Sequence, residues 1–173
     1  MKLLNFRHQL IGQFILISFL MNACKSDKPE DEIKPTINLQ SKHGIYIVNE
    51  GNFQFGNASI SYYNPDDKSV VEDLYKQINN HNLGDVCQSM TLINGWYYVV
   101  VNNSQKIEIV HPDNFERKET MTGIVSPRYI LQVSSSKAYV SDFKSHRVAV
   151  INLSNNNKQS EIPIHGWTEE MYL

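Results

Sequence analysis

Residues 94–121, NGWYYVVVNNSQKIEIVHPDNFERKETM, decide how the rest of the chain is read. Trp96 to Val101 are aromatic or β-branched and show no helical spacing, which predicts a strand buried on both faces. Asn102, Asn103, Ser104 and Gln105 then supply turn chemistry, because Asn side chains bond their own backbone and tolerate left-handed φ. Ile107-Glu108-Ile109 alternates as a half-buried strand does, and His111-Pro112-Asp113-Asn114 is a second turn. A third, more polar strand over 115–121 completes three strands joined by two turns.

Working outward, the same pattern recurs. Lys106-Ile107-Glu108-Ile109-Val110 returns as Arg147-Val148-Ala149-Val150-Ile151, 41 residues on. Upstream, the segment from Ser59 to Pro65 matches the one from Lys106 to Pro112. The preceding strand repeats as well, in Ile45-Tyr46-Ile47-Val48-Asn49, Tyr98-Val99-Val100-Val101-Asn102 and Ala138-Tyr139-Val140-Ser141-Asp142, each closed by Asn or Asp. A period of about 40–45 residues built from four short strands is that of a β-propeller blade. The expected fold is therefore all-β: a partial β-propeller of about three four-stranded antiparallel blades. Blade one is expected to lack its innermost strand, with strands near 44–49, 59–63 and 69–75. Blade two has strands near 87–93, 96–102, 106–111 and 115–122. Blade three has them near 128–133, 137–142, 146–151 and 157–164, and 166–173 reads as the opening of a fourth.

The first residues lie apart from this repeat. Lys2 and Arg7 precede an apolar run over 10–21, too short for a bilayer span of about 20 residues. It is followed by Asn22-Ala23-Cys24. A small residue directly before Cys resembles the bacterial lipobox, although Met21-Asn22 departs from the usual small or aliphatic pair. The resemblance implies cleavage of residues 1–23 as a signal peptide and lipidation at Cys24; the alternative is an ordinary signal with an incidental Cys. Two or three acyl chains would anchor the protein firmly to a membrane, where one gives only marginal binding. Residues 24–42 are polar and aperiodic, and read as a flexible tether. The acidic residues close behind Cys24 resemble a surface-export signal, with a plain solvated linker as the alternative. Losing Lys2 and Arg7 takes the formal charge from −2 to −4, which gives no support for nucleic-acid binding. Cys87, the remaining cysteine, reads as a small buried hydrophobe without a disulfide partner.

The segments from Val48 to Phe53, from Asn57 to Tyr63 and from Gly84 to Met90, together with Val101-Asn102-Asn103-Ser104 and Ser126-Pro127-Arg128-Tyr129-Ile130, resemble the YncE-like surface propeller lipoproteins of gut Gram-negative bacteria, the group carrying the DUF5074 domain. The resemblance covers roughly residues 43–173. It implies a propeller of about seven blades, anchored by lipid at the outer membrane and facing the cell surface, with the periplasmic side as the alternative. It also implies cobalamin as a candidate small-molecule ligand and a TonB-dependent transporter as a candidate partner. Closing a propeller ring removes its sheet edges, and three and a half blades do not make a ring. The chain is accordingly expected to be a truncated family member or to need a neighbouring chain.

Catalytic patterns are absent from the sequence. The six histidines show no H-x-x-x-H spacing, and there is no C-x-x-C, G-x-S-x-G or phosphate-binding glycine loop. The expected role is non-catalytic binding. In a propeller, the loop between the second and third strands of a blade and the loop into the next blade open on one face. These loops nominate Asn52, Phe53, Asp85, Gln88, Asn102, Asn103, Arg128, Lys144 and Trp167 as ligand-binding residues, with Phe55, Phe143 and His146 nearby. The competing reading makes the Asn and Asp residues turn formers, Phe53 and Trp167 edge covers, and Arg128 a source of inter-blade hydrogen bonds. The rivals are a propeller lyase or lactonase holding a metal through Glu50, Asn102 and Asp142, or a protein-interaction scaffold.

Overall fold

The computed structural model describes residues 37–39 and 41–173. The expected signal peptide, Cys24 and most of the tether lie outside the described residues. Blade one is a three-stranded antiparallel sheet of β1 (Ile45–Asn49), β2 (Ser59–Asn64) and β3 (Ser69–Val71), followed by helix α1 (Leu74–Asn79). Blade two is β4 (Cys87–Ile93), β5 (Trp96–Val101), β6 (Lys106–Val110) and β7 (Arg117–Met121), in that order across the sheet. Blade three repeats it with β8 (Pro127–Ser134), β9 (Lys137–Asp142), β10 (Arg147–Asn152) and β11 (Asn157–Pro163). These are the up-and-down blades of a β-propeller.

Side-chain alternation on β5 explains the stacking. Tyr98 and Val100 enter one core with Ile107, Ile109, Ile130, Val140, Ala149 and Ile151, so they join blade two to blade three. Val99 and Val101 point the other way, into a second core with Ile60, Tyr62, Leu74 and Leu83, so they join blade two to blade one. A strand with period-two side chains and apolar residues at every position must have a neighbour on each face, which is the expectation drawn from residues 96–101. The hairpin between β4 and β5 turns through Asn94 (φ 49) and Gly95 (φ 79), the positive pair that a two-residue turn needs to match strand twist.

Four local readings change. The third strand of blade one, expected over 69–75, ends at Val71; Asp73 is left-handed and α1 follows. Leu74 and Tyr75 are buried in the second core, with Ile78 packed against it, so a helical turn adds to the core that blades one and two share. The fourth strand of blade two begins at Arg117 rather than 115, because Phe115 (φ 58) swings from the turn and is fully buried in that same core. Residues 166–173, expected to open a fourth blade, form no strand. An extended segment becomes a strand only by sharing a ladder, and no described strand lies beside this one. Leu39, inside the stretch read as tether, is buried in the second core.

Candidate functional site: the loop face

The loops β1–β2, β5–β6 and β9–β10 and the three connections that leave each blade lie at one end of the sheets, as the repeat requires. Their hydrogen bonds divide the nominated residues into two groups.

The first group holds blades together. The Asp85 carboxylate accepts the backbone N–H of Gln54 at 2.9 Å and the Asn103 side-chain amide at 2.5 Å, while its own N–H donates to Ser104 Oγ at 2.9 Å. One residue thus ties the blade-one loop to the blade-two turn. Gly84 beside it has φ 135, and a Cβ there would lie 2.5 Å from Ser104 Oγ, so only glycine lets the strands approach. One junction further on, buried Asn102 donates to Ser126 Oγ (3.0 Å) and to the Pro127 carbonyl (2.8 Å). At the third, Asp142 Oδ2 accepts the amides of Val125 and Ser126 and Oδ1 those of Lys144 and Ser145, and its own N–H donates to Thr168 Oγ1. Asp85, Asn102 and Asn103, nominated as ligand contacts, therefore also act as staples between repeats, as does Asp142 of the rival metal set. A buried acceptor left without its partner costs about 1–3 kcal/mol, so these side chains are committed. The same accounting weakens the metal set proposed for Glu50, Asn102 and Asp142, since two of its three members are already engaged.

The second group faces outward. The Arg128 guanidinium lies 5.2 Å from the centre of the Phe143 ring and its Nε donates to Glu169 at 2.8 Å. Phe143 packs at 4.9 Å on Trp167, whose side chain stays 68% exposed. Arg128, Phe143, Trp167 and Glu169 make a shelf in which the cation lies over one ring and that ring packs, tilted by 36°, on the second. Next to it, Gln88 sits at a bulge in β4, where the register shifts between Cys87 and Ser89; β8 has its own shift between Pro127 and Ile130, around Tyr129. Bulges re-aim side chains, and the Gln88 amide meets the Tyr129 hydroxyl at 3.3 Å, with Gln88 Oε1 buried and unpartnered among the described residues. Tyr129 and Glu169 were not nominated from the sequence. Tyr129 was findable, because it stands 41 residues after Gln88 in the repeat.

Of the remaining nominees, Lys144 is exposed and, among the described residues, only its backbone N–H is engaged. Asn52 closes the β1–β2 loop through its own backbone, donating to Asn57 Oδ1 at 2.8 Å and accepting from Phe55 at 3.0 Å. Phe53 is 57% exposed. Among the described residues no three His, Cys, Asp or Glu side chains converge as a metal site, and no helix is long and apolar enough to cross a membrane.

Stacked four-stranded blades with a shared loop face define a β-propeller protein. The chain belongs to the DUF5074 family, a domain of unknown function, whose profile matches residues 43–168. A search of curated proteins finds no match. Among solved structures, a quinonprotein alcohol dehydrogenase-like protein from Bacteroides thetaiotaomicron superposes with a TM-score of 0.58 at 15% identity, over 75% of this chain and 30% of its own. The hydrazine synthase of Kuenenia stuttgartiensis matches at TM-score 0.50 and 14% identity, over 63% of this chain and 30% of its own. A chain of the nidogen/laminin complex matches at TM-score 0.50 and 17% identity, over 69% of this chain and 43% of its own. At these identities the likeness is one of fold. The chain spans between about a third and two fifths of the length of these structures.

Proposed function

We propose that this protein is a lipid-anchored, non-catalytic binding propeller of the outer membrane, presenting its loop face at the cell surface. The observation that carries the reading is the shelf of Arg128, Phe143 and Trp167. It keeps a large aromatic residue solvent-exposed yet fixed by ring packing, beside a guanidinium whose charge is balanced by Glu169. Exposed, rigid aromatic and Arg groups are the side chains that dominate binding energy where they occur. In its narrower form, the face captures a polar ring-bearing nutrient such as cobalamin and passes it to a TonB-dependent transporter. A scaffold role would use the same face without a small ligand.

Isothermal titration of the full chain with cyanocobalamin tests the narrow form: a saturable heat lost in Trp167→Ala and Arg128→Ala supports it, and no heat removes cobalamin as the ligand. The anchor has a separate test. Metabolic labelling with a fatty-acid analogue should mark the protein, and Cys24→Ser should abolish the label; label persisting in the variant overturns lipidation at that residue.

A further inference from the structure

A second feature of the loop face lies on blade one, away from the shelf. The β1–β2 loop turns three times through left-handed backbone, at Gly51, Gln54 and Gly56 (φ 78, 70 and 61). It is nevertheless pinned: Gln54 N–H by both Asp85 oxygens, Asn52 N–H by Asn57 Oδ1, Phe55 N–H by the Asn52 carbonyl, and Ala58 N–H by the Gly84 carbonyl. This ordered loop holds the Phe55 side chain 75% exposed, without a ring contact among the described residues. Beneath it opens a cleft of about 230 Å³, walled by Phe55, Asn57, Ser59, Asp73, Lys76 and Asn82.

The polar groups of this cleft have unused capacity. Asp73 stands at the position that usually caps a helix, yet its backbone is left-handed (φ 49, ψ 44) and its carboxylate makes no capping bond to α1. Neither that carboxylate nor the Lys76 ammonium has a hydrogen-bonding or ionic partner among the described side chains. Opposite charges within one small cleft disfavour a ligand of strong net charge, and an apolar ligand would leave both unpaired. Hydroxyl groups, which donate and accept, satisfy an acid, an ammonium and amides together. A flat face of polarised C–H bonds complements the negative face of an aromatic ring. The cleft is smaller than the sites of about 300–1,000 Å³ that enclose drug-sized ligands, so it seats one ring.

We propose that this cleft binds a pyranose sugar residue, stacked on Phe55 with its hydroxyls on Asp73, Lys76 and Asn82. The proposal does not depend on the shelf, and the variants below separate the two.

The test is amide-resolved NMR titration of the full chain with the methyl glycosides of glucose, galactose, mannose and N-acetylglucosamine, and with maltotriose. At least one sugar is expected to shift the amides of residues 55–59 and 73–82, with the millimolar affinity usual for a single shallow ring site. Phe55→Ala and Asp73→Asn should each weaken it by about tenfold, while Arg128→Ala leaves it unchanged. Because Phe55 is exposed, its replacement keeps the wild-type unfolding midpoint. Shifts absent for every sugar at high millimolar concentration, shifts confined to other residues, or an affinity unaltered by Phe55→Ala would each overturn the proposal.

Discussion

Blade two and blade one are built from the same repeat and differ in what lies beside them. Blade two has four strands and a neighbour on each face, so Val99 and Val100, adjacent in sequence, are both fully buried in different cores. Blade one has three strands and one described neighbour. Tyr46 and Val48 of β1 pack against blade two, whereas Ile47, between them, is 44% exposed. The lesson is that burial in this chain is a property of the stack: one strand pattern gives a core element or a half-open edge according to its company.

The buried pair in blade two gives the sharpest test of that difference. Glu108 is fully buried and its carboxylate is held by Lys106 (2.5 Å) and Thr120 (2.6 Å). Lys106→Met strands the carboxylate and should cost about 3–5 kcal/mol in urea unfolding, since a buried charge loses its partner. Replacing both, Lys106→Met with Glu108→Leu, should recover most of the loss. Next in size, Ile109→Ala empties part of the core between blades two and three and should cost about 2–5 kcal/mol; the edge counterpart Ile47→Ala should change stability by less than about 0.5 kcal/mol. Equal losses at the two sites would break the comparison. Asn102→Ala, which orphans acceptors at the junction after blade two, should cost about 1–3 kcal/mol.

Cys87 probes the core that the two blades share. Burial pushes its thiol up to about 12. The unfolded thiol ionises near 8.5, so above that pH the unfolded chain releases a proton that the folded chain retains. The contribution is fully present below about pH 8.5 and is lost as pH rises toward 12, by about 1.4 kcal/mol per unit. In a Cys24→Ser background, a thiol reagent at pH 8 should leave native protein unmodified and label one cysteine after denaturation. Rapid labelling of native protein would mean that the core between blades one and two opens easily.

Much of this arrangement was legible in the sequence because propeller periodicity is local. The β5 run, the turn over 102–105 and the return of the β6 pattern are carried by short stretches of sequence, and they place blades two and three nearly residue for residue. Helix α1 was not read, although Leu74, Tyr75 and Ile78 have helical spacing, because six residues inside a strand repeat carry little weight against the period. The candidate site was only half legible. Asn102 and Asp85 look alike from sequence whether they hold a ligand or a neighbouring blade, and the bonds that tie them to that blade reach 25 and 31 residues along the chain. The Arg128 shelf depends on Arg128 meeting both Phe143 and Glu169, the latter 41 residues along the chain, which no local pattern encodes.

Amide hydrogen exchange under native conditions tests most directly the claim that the blades owe their order to the stack. The account predicts that β5 and β6 exchange only through global unfolding, and that β1 exchanges at least about 100-fold faster by local opening of its uncovered edge. Equal protection of β1 and β5, or faster exchange in β5, would contradict it.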